Sequence, residues 1–211
     1  MNRRCVIGWI AKTAGLAATF PLFAWLGGKP AAAAALKPTP SQTEGPYYPL
    51  MKPADADWNL LRWHDRIQGE KLELSGRVLG IDGEPLSGAS VEIWQADGQG
   101  IYDHPYDSRR TQLDPAFRGF GEVRTNERGE YRFLTMVPGP YTGRPPHIHV
   151  KVRAEGRDIL TTQLYIKDHP ENDRDGIFSR LFHGDRSRLM MTFTKGKGVA
   201  ADKRARFDFV L

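Results

Sequence analysis

From Lys71 to the end of the chain, the sequence is divided into short alternating runs by turn residues. Leu72, Leu74 and Val78 alternate with other positions, which is the period-two pattern of a strand with one buried face. Turns rich in Gly, Pro, Asn and Asp separate such runs, and no long helical period occurs. The runs interpreted as strands lie at 72–78, 89–95, 131–133, 150–153, 159–166, 189–193 and 207–211. Seven or eight short strands predict an all-β fold, an antiparallel β-sandwich with long loops, over residues 71–211.

The first 36 residues resemble an export signal rather than part of a fold. Arg3 and Arg4 precede an apolar stretch at 5–26, and small residues follow at 31–35, which is the arrangement of a cleaved signal peptide. The paired arginines favour a twin-arginine signal and a periplasmic product, with cleavage between positions 33 and 36. A Sec-type signal and an uncleaved anchor are the alternatives.

Residues 37–70 begin with a proline-rich lead-in and are predicted to form an ordered, extended arm. Tyr47 and Tyr48 lie within it, and two aromatic side chains are uncommon in a mere spacer. A disordered linker is the alternative.

The basic character of the chain comes largely from its signal segment. The formal net charge is +5, and Arg3, Arg4, Lys12 and Lys29 supply four positive charges to a segment without acidic residues, so that the remainder carries +1. This balance argues against nucleic acid as a partner. The single cysteine, Cys5, also lies in the signal, so the mature chain is expected to have neither a disulfide nor a thiolate ligand. We expect no stable membrane insertion after cleavage.

The stretch at 137–150 combines two histidines with a tyrosine and an arginine. His147 and His149 are two positions apart, so on a strand they face the same side, about 7 Å apart at Cα. Two imidazoles placed in this way can bind one metal ion. Prolines and glycines before them stiffen the loop that presents Tyr141 and Arg144.

Tyr102 follows a glycine-containing turn and is the candidate to complete a metal site with Tyr141, His147 and His149. Tyr106 is the competing candidate. Zinc sites favour Cys, His and carboxylate ligands. Phenolate oxygens instead need a hard, highly charged ion to remove their protons, and ferric iron fits best.

These residues belong to a longer series of motifs that resembles the intradiol ring-cleavage dioxygenases, and most of all the protocatechuate 3,4-dioxygenase subunits. The motifs span nearly the whole chain after the signal: Gln-Thr-Glu-Gly-Pro-Tyr-Tyr at 42–48, Val-Glu-Ile-Trp-Gln-Ala-Asp at 91–97, Gly-Ile-Tyr at 100–102, Leu-Asp-Pro-Ala-Phe at 113–117, Pro-Gly-Pro-Tyr at 138–141, Arg-Pro-Pro-His-Ile-His at 144–149, Thr-Gln-Leu-Tyr at 162–165 and Arg-Phe-Asp-Phe-Val-Leu at 206–211.

The resemblance implies a ferric iron cofactor and a catechol-type substrate that is cleaved with O2 between its two hydroxyl-bearing carbons to a muconate-type diacid. Tyr102 and His147 match the equatorial iron ligands of the family, and Tyr141 and His149 match the axial ones. Arg144 and Gln163 match residues beside the substrate ring and the oxygen-insertion site, and Tyr141 matches the ligand that the substrate displaces. Tyr47 or Tyr48 is a candidate pocket residue. A homo-oligomer is possible.

The chain departs from the protocatechuate enzymes in the short loop between Tyr141 and Arg144, where only Thr142 and Gly143 intervene. The family's loop is longer and carries an aromatic residue, so the substituent on the substrate ring stays open.

Two other classes of function remain as alternatives. One is an exported zinc hydrolase that uses His147, His149 and a carboxylate such as Asp103. The other is a non-catalytic β-sandwich binding module. The remaining histidines are interpreted as surface residues: His64, His104, His169 and His183.

Overall fold

The computed structural model describes residues 35–62, 66–196 and 200–211. Residues 1–34, which hold most of the predicted signal, lie outside these ranges, as does His64. The described residues form ten strands, which in chain order are β1 (Lys71–Leu79), β2 (Ser90–Trp94), β3 (Phe120–Arg124), β4 (Glu130–Met136), β5 (His147–Ala154), β6 (Arg157–Ile166), β7 (Met190–Met191), β8 (Thr194–Lys195), β9 (Lys203–Arg206) and β10 (Phe209–Val210). The prediction of an all-β fold is confirmed.

Helical structure in the described residues is limited to single turns in the connections. One short α-helix, α1 (His183–Arg186), lies before β7. The 3₁₀ turns are Arg110–Gln112, Asn172–Arg174, Phe178–Arg180 and Ser187–Leu189. Three of these four turns lie between β6 and β7, so this connection is long and structured.

The first sheet is built around β1 and is mixed rather than antiparallel. One edge of β1 pairs with β4 antiparallel, and its other edge pairs in parallel first with β9 and then with β10. Strand β8 pairs antiparallel with the far edge of β9. Between β9 and β10 the carbonyl of Phe207 approaches Gly76 so closely that any Cβ at Gly76 would overlap it, so glycine is needed in the middle of β1.

The second sheet has the strand order β3-β2-β5-β6-β7. The first four strands pair antiparallel, and β7 joins β6 in parallel. The prediction of an antiparallel sandwich is therefore confirmed only in part, because β7, β9 and β10 each join their sheet in parallel. A period-two pattern identifies the buried face of a strand but carries no information about the direction of its neighbour.

The largest hydrophobic cluster among the described residues takes side chains from both sheets. Alternation along β5 places Ile148, Val150 and Val152 in this core, as predicted, while His147 and His149 face the other way. Strands of the first sheet contribute Leu72, Leu74 and Phe133, and β2 contributes Val91 and Ile93. All of these side chains are fully buried, and each contributes roughly 1.5–3 kcal/mol by leaving water.

Residues 35–62 cross from the first sheet to the second without forming a strand of their own. Backbone hydrogen bonds join Leu36 to Ile81, Thr39 to Val210 and Gln42 to Thr161. Asn59 and Leu61 then make isolated bridges to Leu134 and Phe117. The segment is thus held to the body of the protein along its length. In the described ranges, no helix has both the length and the apolarity to cross a bilayer.

Candidate metal centre

Two neighbouring cross-strand rows on the outer face of the second sheet carry the centre of the site. In the first row, His149 of β5 lies between Trp94 of β2 and Gln163 of β6. In the second row, His147 pairs with Tyr165 of β6. Trp94 stacks face to face on the His149 ring, with ring centroids 4.9 Å apart and planes 11° apart. The Trp94 ring therefore fixes the plane of the His149 imidazole.

The two imidazoles point their Nε2 atoms at each other, 3.1 Å apart. Two adjacent ligands that each lie about 2.1 Å from one metal ion have about this separation. Nδ1 of His147 lies 2.7 Å from the carbonyl oxygen of Pro145, so Nδ1–H donates to it and the Nε2 lone pair is left free. Burial, reinforced by Arg144, lowers the pKa of His147 to about 3. Burial and His147 also lower the pKa of His149 well below its ordinary value. Both rings are therefore neutral, as metal binding requires.

Tyr102 is held by a tight loop after β2. The carboxylate of Asp97 accepts hydrogen bonds from the backbone N–H groups of Gln99 and Ile101, and Asp107 accepts one from Tyr102 itself. The Tyr102 ring is buried and lies perpendicular to the Tyr141 ring, with centroids 5.2 Å apart. Its competitor, Tyr106, is 70 % exposed and contacts His104 instead.

Tyr141 lies in the proline-braced loop before β5. Reciprocal backbone hydrogen bonds between Tyr141 and Arg144, of 3.1 and 2.6 Å, close this loop. The Tyr141 ring centroid lies 5.5 Å from that of His147. Burial raises the pKa of Tyr141, although the nearby Arg144 charge opposes the rise. Tyr141 is less buried than Tyr102, so it is the tyrosine that faces the open side of the site.

Arg144 reaches Tyr141 and Gln163 with its guanidinium group. Nη2 donates to Oε1 of Gln163 at 2.6 Å, and Nη1 lies 3.4 Å from the Tyr141 hydroxyl. Nε donates to the buried carboxylate of Asp175 at 2.6 Å. Burial disfavours the charge on Arg144, but Asp175 and Tyr141 hold its pKa above the ordinary value.

The structure thus brings together all six residues that the sequence singled out: Tyr102, Tyr141, Arg144, His147, His149 and Gln163. Their donor atoms fit a trivalent ion. The Tyr102 hydroxyl and Nδ1 of His149 are buried and have no hydrogen-bond partner among the described residues. Burial raises the pKa of Tyr102 well above its ordinary value, so its phenol ionises only against a strong positive charge such as Fe(III).

The ligand set required by a zinc hydrolase is not found in the described part of the chain. No group of three or more His, Cys, Asp or Glu side chains there is arranged to hold a metal. Asp103 instead forms a 2.8 Å salt bridge with Arg110.

The predicted arm places one of its two candidate tyrosines, Tyr47 and Tyr48, in the site. Tyr47 stacks on Tyr102 with ring centroids 4.3 Å apart and planes 16° apart. Tyr48 turns away from the site and donates to Glu92 at 2.7 Å. Glu92 is fully buried and also binds Lys52 at 2.5 Å, so this pair of contacts anchors the arm beside the site.

Three further residues of the site were missed, and one prediction was wrong. The missed residues are Trp94, Tyr165 and Asp175. The alternation along β2 puts Trp94 on the same face as Glu92, and this pattern could have indicated Trp94. Nothing in the sequence around Asp175 indicated a role in the site. His104 was predicted to be at the surface but is buried, because its ring lies against Tyr47. His183 is exposed, as predicted.

A cavity of about 380 Å³ opens beside Tyr141 and Arg144. The Tyr141–Arg144 loop forms one wall, and Glu171 and Arg174 form the other. A Cβ added to Gly143 would meet nothing within 4 Å. Gly143 therefore adds no steric limit to this side of the cavity.

Comparisons with known proteins give a consistent result. The family model described as Dioxygenase matches residues 43–211. The protocatechuate 3,4-dioxygenase beta chain of Burkholderia cepacia is 37% identical over 134 residues, which cover 60% of this chain and 57% of that protein. Catechol 1,2-dioxygenase of Acinetobacter baylyi is 33% identical over 150 residues, which cover 63% and 47%. The chain thus spans about half the length of the curated relatives it matches.

Solved structures are similar over more of their length. The dioxygenase domain of a dioxygenase carbohydrate-binding protein fusion from Streptomyces sp. SirexAA-E has a TM-score of 0.66 and 35% identity, with 83% of this chain and 98% of that one covered. An intradiol ring-cleavage dioxygenase from Tetranychus urticae has a TM-score of 0.63 and 26% identity, with 83% and 94% covered.

Proposed function

Because this chain belongs to the family described as Dioxygenase, we propose that it is a non-haem Fe(III) intradiol dioxygenase. Its substrate is a catechol-type ring, which it cleaves with O2 between the two hydroxyl-bearing carbons to give a muconate-type diacid. Both oxygen atoms of O2 enter the product, so no external reductant is needed. The observation that carries the proposal is the convergence of two phenols and two imidazoles in a buried site, with the two Nε2 atoms 3.1 Å apart.

Tyr102, Tyr141, His147 and His149 are the residues that would hold the iron. When bound, the ferric ion supplies Lewis acidity to the catechol and a template for its two oxygens. Two phenolates would balance most of the 3+ charge in a buried site, where Trp94 covers one face of the His149 ring. The low pKa of His147 keeps its Nε2 lone pair available for binding at neutral pH.

The two tyrosines have different roles in this proposal. Tyr102 is buried, packed under Tyr47 and tied into its loop by Asp107, so it would be the ligand that keeps its place. Tyr141 is the more exposed of the two and lies at the cavity. Tyr141 would be the ligand that a catechol displaces, and its oxygen would then accept a proton from the substrate, as a general base does.

Arg144 and Gln163 are the residues that act beside the substrate ring in this proposal. The guanidinium group of Arg144 is always charged and stabilises negative charge that develops on the ring during the reaction. Gln163 holds Nη2 of Arg144 with its Oε1 atom and donates its amide N–H to the Thr43 carbonyl at 2.9 Å. Its orientation is therefore fixed between Arg144 and the arm.

The relatives and the cavity both support a substrate class. The relatives are named for protocatechuate, catechol and hydroxyquinol, which all carry adjacent hydroxyl groups on a ring. In this chain Thr142 and Gly143 line the cavity beside Tyr141. We therefore propose a catechol whose substituent points into the 380 Å³ cavity.

The test of this proposal is the fate of ¹⁸O2 with a panel of catechols that differ in their ring substituents. The proposal expects stoichiometric O2 uptake and a diacid that contains two ¹⁸O atoms. A hydrolase would consume no O2, and a binding module would retain the catechol unchanged. Either result would contradict the proposed reaction. The matched control is His147→Ala, which removes one imidazole and should abolish O2 uptake.

Export is a separate part of the proposal. Arg3 and Arg4 followed by the apolar stretch at 5–26 support a twin-arginine signal and a periplasmic enzyme. This route carries folded proteins, so the iron site would be assembled before transport. A homo-oligomer stays a prediction.

A further inference from the structure

Asp175 is a buried carboxylate outside both sheets that the proposed chemistry does not use directly. It is 0 % exposed and lies 31 positions after Arg144, between the 3₁₀ turns Asn172–Arg174 and Phe178–Arg180. Its Oδ2 atom accepts a 2.6 Å hydrogen bond from Nε of Arg144. Among the described residues, Asp175 is the one carboxylate within salt-bridge distance of that guanidinium.

The other oxygen of Asp175 is fixed by the backbone. Oδ1 accepts hydrogen bonds from the N–H groups of Ile177 at 2.6 Å and Phe178 at 3.0 Å. The Phe178 ring is buried against Tyr165 of β6, with centroids 4.6 Å apart. Asp175 is therefore tied through its turn to the sheet and has no freedom to follow a moving arginine.

The guanidinium group of Arg144 makes only weak contacts with the hydroxyl groups of Tyr141 and Tyr165. Nη1 lies 3.4 Å from the Tyr141 hydroxyl and Nη2 lies 3.4 Å from that of Tyr165, which is long for a hydrogen bond. The short contacts of the guanidinium are those to Asp175 and Gln163. These two contacts set where the positive charge lies, because a long arginine side chain otherwise has many rotamers.

The same segment also forms one wall of the cavity. Glu171 and Arg174 line the cavity, and Asp175 follows directly. The support of Arg144 and the surface that meets the substrate are therefore parts of one short segment.

We propose that Asp175 is a positioning residue, whose carboxylate holds the guanidinium group of Arg144 in the place and orientation required beside Tyr141 and the bound catechol. This inference rests on the proposed function, since it assigns Arg144 a role toward the substrate. In this proposal Asp175 itself contacts neither the substrate nor the metal. Its effect passes through Arg144, and this distinguishes it from a residue that only stabilises the fold.

The first test is Asp175→Asn. Asparagine keeps an oxygen for the N–H groups of Ile177 and Phe178, but it loses the charge and presents an N–H group to Nε of Arg144. We expect iron content to stay at the wild-type level while kcat and kcat/KM both fall about tenfold, as for a lost transition-state interaction. The control is Asp173→Asn, two positions earlier, whose side chain is 86% exposed and which should match wild type.

The decisive comparison is a double-mutant cycle with Arg144→Ala. If Asp175 acts through Arg144, Asp175→Asn costs nothing further in the Arg144→Ala background, in kcat or in the affinity for a catechol under anaerobic conditions. An equal loss of kcat in both backgrounds would overturn the proposal. So would a loss of iron from Asp175→Asn itself, because that would be a structural effect.

A second variant keeps the proposal testable if Asp175→Asn does not fold. Arg144→Lys retains the charge, but an ammonium group cannot bridge Asp175 and Gln163 as a guanidinium does. It should retain iron and lose about as much kcat as Asp175→Asn is expected to lose. Wild-type kcat in Arg144→Lys would overturn the positioning role.

The wild-type protein alone tests the proposed function. Absence of iron and of O2 uptake in wild type contradicts the dioxygenase proposal before any variant is compared.

Urea unfolding of the same four proteins of the double-mutant cycle does not depend on turnover. Strictly additive shifts of the unfolding midpoint there would show that Asp175 and Arg144 do not interact, and would overturn the inference on its own.

Discussion

Gly100 packs directly against the carbonyl oxygen of Pro140, so that a Cβ at Gly100 would overlap this oxygen and lie 3.3 Å from Cβ of Tyr141. The loop that carries Tyr102 and the loop that carries Tyr141 therefore meet backbone to backbone. Gly139 makes a second such contact, because its N–H group donates to the carbonyl of Asp97 at 2.8 Å. The separation of the two candidate phenolate ligands depends on these glycines.

Replacing Gly100 by Ala should push the two tyrosine loops apart. Gly100 has φ of +75°, so any side chain costs roughly 1–2 kcal/mol in backbone strain, and the overlap with Pro140 adds about 1–3 kcal/mol. Urea unfolding and iron content after purification measure the two effects. Gly88→Ala is the matched control, since its φ is +73° and a Cβ there meets nothing within 4 Å. Equal stability losses in the two variants, with iron retained in both, would contradict the account.

The metal-free protein should become less stable as the pH falls from about 6.5 toward 3. Burial lowers the folded-state pKa of His147 from 6.5 to about 3, so in this window the unfolded chain binds a proton that the folded chain does not. The free energy of unfolding then decreases as the pH decreases, by up to about 1.4 kcal/mol per pH unit for one histidine. Urea unfolding of the chelator-treated protein across this range measures the slope.

His147→Gln isolates that contribution. The variant lacks the titrating group, so its stability should depend less steeply on pH than that of wild type. His183→Gln, at an exposed position, should keep the wild-type slope. A slope in His147→Gln as steep as in wild type would show that His147 is not held neutral by the fold.

Substitution of each tyrosine should separate the ligand that stays from the ligand that leaves. Tyr141→Phe should still bind iron, lose part of the phenolate-to-iron absorption and lose most of its turnover, because the substrate proton has no acceptor at Tyr141. Tyr102→Phe should keep a displaceable phenolate but hold iron more weakly. Stopped-flow spectra of both variants, mixed anaerobically with a catechol, test this distinction. Wild-type turnover in Tyr141→Phe would contradict the ligand-exchange role.

Local pattern singled out five of the six candidate residues, for physical reasons that differ between them, whereas Gln163 was indicated only by the resemblance to the intradiol dioxygenases. His147 and His149 follow from the two-residue repeat of a strand, which holds wherever one face is buried. Tyr102 and Tyr141 follow from the glycine and proline loops that hold them. Asp175 could not be found in this way, because its partner Arg144 is 31 positions away and the contact exists only after β6 and the following turns have folded.

The same limit applies to the fold and to His104. The parallel pairing of β9 and β10 with β1 joins positions more than 120 residues apart, and no residue type encodes strand direction. The residues around His104 have the composition of a surface loop, yet His104 is buried. The arm that brings Tyr47 against it comes from much earlier in the chain.

Export can be tested without any knowledge of the substrate. Changing Arg3 and Arg4 together to Lys should leave the full-length precursor in the cytoplasm, because the twin-arginine route depends on that pair. The measurement is the mass and location of the product after cell fractionation. Normal export and cleavage of the double variant would indicate a Sec-type signal instead.

The iron content and visible absorption spectrum of the purified protein test the central claim most directly. A ferric ion bound by Tyr102 and Tyr141 should give about one iron per chain and a broad phenolate-to-iron band that colours the protein red-brown. Anaerobic addition of a catechol should replace part of this band with one at longer wavelength. A colourless protein that contains stoichiometric zinc and is active in that state would contradict the account.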